Sequence, residues 1–421
     1  MSSPYPAGEL LAELCLNKFD TLPKTGKPTN KEWTILAGVV QYDENRKESK
    51  VVALGAGTKC IGRSKLCSGG LILNDSHAEV LARRALLRYF YAELRKAIEN
   101  KLSIFQWNAE KLFFTLKREL SFHFISTQTP CGDACIEDES CDEESIETPN
   151  KKPKLVCDEL VQKDFGKTLL NDSEVVYTGA KLIGEHSDLL QQFVGVVRTK
   201  PGRGDRTLSM SCSDKLSRWN VLGVQGALLD TLLDKPIYFE TLTFCCSRSN
   251  EKSIRRAIYG RWLDRQFEHV KYKPQKPLIH ICDNTKFKYV EDTGKQPSPN
   301  GLVWCDIPVN VNPIEISVNG KRQGVTAKKS NSPQAALRTS KYHLLLEYVE
   351  LLKAKPEFCK KFGITMEKLE ILKYNEFKNI AEEYQNAWGK VKSDYFQQWT
   401  SKPQHLQTFS IVTQKTDKTN L

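Results

Sequence analysis

His77 and Glu79 are a metal-binding type and a proton-carrying type set two residues apart, where an apolar-periodic run begins. The run behind them (Val80, Leu81, Ala85, Leu86, Leu87) has the spacing of a helix face, and Asn74, Asp75 and Ser76 before it are capping types. The sequence therefore predicts a helix entering at His77 and continuing to about Ala97. At 3.6 residues per turn, two positions separate side chains by about 200°, so within a helix this pair would not ligate one ion together. One binds while the other handles the proton of whatever the ion activates. A helix N-terminus suits such chemistry, because its unpaired N–H groups and positive dipole end favour an anion.

A second constellation is Pro130-Cys131-Gly132-Asp133-Ala134-Cys135, which follows the strand-like Phe122-His123-Phe124-Ile125-Ser126. His-x-Glu combined with Pro-Cys-x-x-Cys is the signature of zinc nucleobase deaminases, although here Cys135 comes one residue late. His-Ala-Glu alone is weak. With a strand-bounded Pro-Cys-Gly 54 residues later, the zinc reading outweighs a capped core helix beside an unrelated structural cysteine. A catalytic zinc site needs three protein ligands and an open position for water. With His77 and Cys131 as two of them, spacing leaves Cys135, four residues on, and Cys212 evenly matched as the third.

The 421 residues make room for one large or two ordinary domains. No 18-residue apolar run and no signal-type segment is present, which predicts a soluble intracellular protein of nucleus or cytoplasm, without a membrane or an evident obligate protein partner. Thirteen scattered cysteines point to reduced thiols rather than a disulfide framework. The net charge is +11, and residues 137–154 hold seven acids and three lysines (−4), so the remainder carries +15. A surface of that sign suits nucleic acid or another polyanion.

These residues need a scaffold. Residues 5–30 predict a short helix and a Pro/Lys/Gly loop, and 33–40 with 50–55 a β-hairpin. A strand near 121–128 feeds the Cys131 turn. Residues 137–172 read as a disordered acidic insertion, within which Asn150-Lys151-Lys152-Pro153-Lys154 is a linker or a nuclear-import patch. A helix is expected over 219–229, a strand over 236–243, a basic helix through Arg255, Arg256 and Trp262, and long helices over 333–354 and 376–392.

Ser211-Cys212-Ser213-Asp214-Lys215-Leu216-Ser217-Arg218-Trp219-Asn220, with Asn74-Asp75-Ser76-His77-Ala78-Glu79 and Pro130-Cys131-Gly132, resembles the catalytic domain of the adenosine deaminases that act on RNA. The resemblance runs from about Leu10 to Leu406. It implies an α/β fold with a cytidine-deaminase-like three-layer α/β/α core around a mixed sheet, a helical C-terminal half enclosing a polyanion, and one domain over 1–421. It also implies that Cys212 is the third zinc ligand and Cys135 a core cysteine. Glu79 would then carry protons between water, the purine ring nitrogen and the departing ammonia, giving inosine. Thr58 and Lys59 match the family's Gly-Thr-Lys segment facing the substrate. The family branch most resembled acts on tRNA, at the adenosine 3′-adjacent to the anticodon of tRNA-Ala. Two features carry that expectation: the catalytic region begins almost at Met1, leaving no room for duplex-RNA-binding domains, and Arg203 stands in Gly202-Arg203-Gly204 where the mRNA editors have a base-flipping glutamate. A duplex-RNA editor, an inactive RNA-binding paralogue and a small-nucleoside deaminase are the competing readings.

A further set of residues is too cationic for its apolar helical context: Arg83, Arg84, Lys215, Arg218, Trp219, Tyr374, Lys378, Tyr384, Gln385, Trp399 and Lys402. From spacing alone these are solvated faces. The resemblance instead implies, with Asn74, Lys200 and Lys341, a binding site for buried inositol hexakisphosphate. Trp388 departs from it, since the related editors carry lysine there, so that one contact is either lost or moved to Lys390.

Overall fold

The apolar, β-branched run around Val39 and Val40 forms strand β1 (Leu36–Asp43), and a polar turn joins it to the antiparallel strand β2 (Glu48–Ala56). The expected hairpin is present, with β1 displaced a few residues along the chain. In the computed structural model, which describes residues 4–137, 167–170, 174–179, 194–202, 205–262, 267–282, 287–308 and 311–412, these strands lie at the centre of an eight-stranded mixed sheet. Strand β3 (Leu120–Ser126) runs antiparallel to β1, and β4 (Thr241–Phe244) and β5 (Leu278–Ile281) continue parallel to β3. On the other side β6 (Asn300–Cys305), β7 (Ile314–Val318) and β8 (Lys321–Arg322) add antiparallel neighbours. The order is β5-β4-β3-β1-β2-β6-β7-β8.

Side chains alternate across this sheet and build two cores. Leu36 and Val40 of β1 pack with Leu11, Cys15 and Phe19 of helix α1 (Gly8–Thr21) on one face. Ala37 and Val39 pack on the other with Leu81, Ala82 and Ala85 of helix α2 (Ala78–Ile98). Gly55 on β2 sets how closely α2 approaches, because a Cβ there would collide with the backbone of Ala78 and Ala82. Leu81, Leu86, Phe90 and Leu94 are fully buried along α2, each stabilising by about 1.5–3 kcal/mol. That burial anchors the helix whose first turn holds Glu79.

Several helices differ from expectation for local reasons. The helix expected over 219–229 is two: α3 (Cys212–Leu222) stops where Gly223 takes φ 78°, and Gly226–Asp230 starts a new turn. Pro333 opens only a single 3-10 turn, and the long helix begins at α5 (Lys341–Ala354), capped by the Ser340 hydroxyl accepting from His343 N at 3.2 Å. The helix expected over 376–392 divides into Tyr374–Asn379 and α6 (Glu382–Tyr395). Of the acidic insertion, only Glu137 and the strand Lys167–Leu170 are among the described residues. No disulfide joins the described cysteines, and no described helix is long and apolar enough to cross a membrane.

Candidate active site and a basic cavity behind it

His77 is not inside the helix. It ends a short strand, Asp75–His77, that pairs antiparallel with Thr58–Cys60, and it precedes α2 as an extended residue (φ −66°, ψ 144°). The helical-wheel separation from Glu79 therefore does not apply, and both side chains line one cavity of about 830 Å³. Asn74, Asp75 and Ser76 do not cap α2: Asp75 and Ser76 pair as a strand with Cys60 and Lys59, the Asn74 carbonyl accepts from Ile61 N, and His77 is the residue that precedes the helix. The Asp75 carboxylate accepts from His77 N at 3.0 Å and forms ion pairs with Lys200, at 2.8 Å, and with Lys215.

Cys131 sits on the turn after β3. Gly132 beside it has φ 109°, and a Cβ there would strike Ser211 and Ser213, so the turn requires glycine. Cys212 is the first residue of α3, whose cap is the Ser211 hydroxyl accepting from Asp214 N at 3.1 Å. Its backbone N donates to Cys131 Sγ at 3.3 Å. Three separate elements thus bring together His77 Nδ1, 3.8 Å from Cys131 Sγ and 3.7 Å from Cys212 Sγ. The ligand atoms of all three lie within 4.8 Å of one another. Cys135 belongs neither to this cluster nor to the other metal-type cluster among the described residues, Cys60, Asp75 and His77; its thiol is buried 3.4 Å from the Pro130 carbonyl oxygen.

One imidazole and two thiolates are a donor set suited to zinc, and they leave a position open toward the cavity. Glu79 is 1% exposed and its Oε2 has no hydrogen-bond partner, as a carboxylate awaiting a water or substrate proton would be. The surrounding charges favour the ligating forms of the thiols unevenly. The hydrogen bond with Cys212, then Lys200 and His77, hold the Cys131 thiol well below its usual range. Burial, then Cys131, push Cys212 well above it. Burial and Lys200 oppose a proton on His77, yet Cys60 and Cys131 outweigh them and push it up to about 10. A divalent cation would displace these protons.

Thr58 and Lys59 line the same cavity, and Thr58 Oγ1 is buried without a partner. Arg203 lies outside the described residues, between Gly202 and Asp205; Asp205 accepts from Ser64 N at 2.8 Å at the cavity mouth.

A second cavity of about 460 Å³ opens behind Asp75. It is lined by Asn74, Arg83, Arg84, Lys215, Arg218, Trp219, Lys341, Tyr374, Lys378, Tyr384, Gln385, Trp399 and Lys402, all expected together from the sequence. Lys200 is the exception: it lines the first cavity, and its ammonium lies between Asp75 and Cys212 Sγ, 3.1 Å from the sulfur. Trp388 covers the Arg218 guanidinium, 3.7 Å from the ring centroid. Lys390 points instead to the Glu268 carbonyl, and Lys392 lines the cavity. Against eight cationic side chains the lining offers one carboxylate, Asp75. Burial first, then neighbouring cations, lower Lys378 and Lys402 to about 8 and Lys341 well below the usual range. Arg84 Nη2 and Arg218 Nε are buried without partners. Such a lining fits a compact polyanion.

Sequence reasoning missed the central role of Asp75. Its place two residues before His77 made it look like a cap, and no spacing rule connects it to Lys200 and Lys215.

The adenosine-deaminase (editase) domain family matches residues 53–403. The tRNA-specific adenosine deaminase 1 of Drosophila melanogaster is 50% identical over 411 residues, 97% of this chain and 98% of the relative. Its mouse namesake is 32% identical over 95% of this chain and 99% of its own length. The double-stranded RNA-specific editase Adar of Drosophila melanogaster is 27% identical over 98% of this chain but 56% of its own length. With the metal-type triad and the buried carboxylate beside it, these likenesses place the chain in the adenosine-deaminase (editase) family, as a hydrolytic deaminase.

Proposed function

We propose that the protein converts adenosine to inosine in tRNA, at the adenosine 3′-adjacent to the anticodon of tRNA-Ala, with zinc held by His77, Cys131 and Cys212. The observation that carries this reading is the convergence of those three ligand atoms within 4.8 Å beside the unpartnered Glu79 carboxylate. Zinc there would supply Lewis acidity that brings the ionisation of a water to about pH 7. Glu79 takes the proton that water gives up and delivers it to the purine ring nitrogen as oxygen adds at C6. It then takes the remaining proton from the new C6 hydroxyl and gives it to the departing amine as the C6–N bond breaks and the C6 carbonyl forms, so that adenosine and water become inosine and ammonia. Thr58 and Lys59 orient the nucleoside in the cavity. An anticodon loop presents its bases with little stacking to break, so placing the adenosine costs only a few kcal/mol. The near-complete reciprocal coverage of relatives named for tRNA supports this substrate over a duplex.

The second cavity, in this reading, holds inositol hexakisphosphate within the helical C-terminal half, with one domain spanning the chain. The buried guanidinium nitrogens without partners support it. Nucleoside mass spectrometry on tRNA-Ala and on a long RNA duplex, each incubated with purified protein, tests the substrate. Inosine beside the anticodon in the first and none in the second is expected; inosine in the duplex at an equal rate would overturn the assignment to tRNA.

A further inference from the structure

A groove of about 880 Å³ adjoins the active-site cavity and shares two of its lining residues, Lys65 and Asn319. One wall is the excursion at 61–73 that carries the chain from Lys59 round to His77. The other is the hairpin of β7 and β8. The walls are fixed to each other where Leu73 N donates to the Gly320 carbonyl at 2.9 Å, and the 61–73 excursion is closed at its base by Ile61 N donating to the Asn74 carbonyl at 3.0 Å. Gly320, at φ 74°, presses on Leu73, Ile61 and Ile72 so closely that a Cβ would collide with all three. The groove is thus held by the same segments that position Lys59 and His77.

Its lining includes Lys65, Lys321 and Arg322 and no carboxylate. Among the described residues no acid forms an ion pair with any of the three; Lys321 Nζ reaches only the Asn331 amide oxygen, at 3.4 Å. Three cations spread along one groove, of which Lys65 has the Asp205 carboxylate nearby, match a phosphodiester strand better than a single small anion, which would engage one end. We infer that this groove carries the sugar–phosphate backbone on one side of the nucleotide held in the active-site cavity, with Lys65 at the junction and Lys321 and Arg322 farther along. The inference rests on the proposed RNA substrate.

The test uses the full chain and intact tRNA-Ala. Lys65→Ser, Lys321→Ser and Arg322→Ser together should weaken tRNA binding at least tenfold at low salt. They should flatten the slope of log affinity against log salt by about 2, from about 0.7 per lost single-strand phosphate contact. The control replaces Lys24, Lys235 and Lys276, which line neither space, with serine. An unchanged slope in the groove variant, or an equal change in the control, overturns the inference. Neutral methylphosphonate linkages placed 5′ or 3′ of the edited adenosine give a second readout, usable with Lys65→Ser alone if the triple variant does not fold. Loss of affinity on one side only, and less of it in the variant, supports the groove; coupling on neither side or equally on both overturns it. Wild-type protein that makes no inosine in tRNA-Ala would sink the substrate reading itself, whereas an active wild type with an indifferent groove variant sinks only this inference.

Discussion

Asp75 stands between the two buried cavities, its carboxylate taking Lys200 from the active-site side and Lys215 from the basic side. On one side are three soft ligand atoms and a carboxylate without a partner; on the other are eight cations with that one shared acid. The first is short of a cation and the second of an anion. Both are costly to bury as they stand, because charges removed from water need partners. In the proposed reading, zinc and inositol hexakisphosphate supply the opposite charge to each lining, and the shared Asp75 ties the two sites together.

The sharpest way to break that contrast is at the ligands. Cys212→Ala should abolish deamination and lower bound zinc to background in elemental analysis, while Cys135→Ala keeps both and costs about 1 kcal/mol of stability. Zinc retained in the first variant and lost in the second would move the third ligand to Cys135. Glu79→Gln separates the proton carrier from the ligands: turnover should fall by about 10²–10⁴ or more with zinc content unchanged. Loss of zinc from this variant would make Glu79 a ligand instead.

On the basic side, inositol hexakisphosphate should copurify, and protein made in cells lacking inositol phosphates should be insoluble or inactive until it is supplied. Active, polyanion-free protein from such cells would refute the claim. The pH dependence sharpens it. Burial and neighbouring cations lower Lys378 and Lys402 to about 8, so above that pH the open cavity holds neutral amines and binding must take up protons. The rise in melting temperature on adding inositol hexakisphosphate should accordingly shrink between pH 7.5 and 9.5. A constant rise would show that these amines do not face the ligand.

The two regions were unequally legible in the sequence. His77, Glu79 and Cys131 carry short-range signals: a residue type, a fixed offset and a strand before a glycine turn. Cys212 does not, because its convergence with Cys131 depends on how the start of α3 docks on the turn after β3, where Ser213 N donates to the Cys131 carbonyl at 3.0 Å, and spacing left it level with Cys135. The basic cavity is assembled from α2, α3 and the C-terminal helices, so each cation taken alone resembles a solvated face. Asp75 was misread because the local capping pattern is the same whether the segment caps a helix or pairs as a strand; only the distant Thr58–Cys60 partner decides.

The smallest expected effect lies at the mouth of the active-site cavity. Arg203 itself lies outside the described residues, but Gly202 and Asp205 on either side of the gap line the active-site cavity, and Asp205 is held by the Ser64 backbone and hydroxyl. A guanidinium between two glycines can meet phosphate or stack on a base, whereas a carboxylate there would repel the RNA backbone. Arg203→Glu should therefore weaken tRNA-Ala binding several-fold and flatten the salt dependence by about 1, leaving zinc and inositol hexakisphosphate in place. Intact tRNA-Ala, its excised anticodon arm and a long duplex, compared under one salt condition, give the decisive contrast. The +15 of charge outside residues 137–154 would engage phosphates over a folded tRNA, so the arm alone should be the poorer substrate. Should Arg203→Glu instead raise turnover on the duplex while leaving tRNA-Ala untouched, this position would be selecting between the two kinds of RNA rather than binding either one.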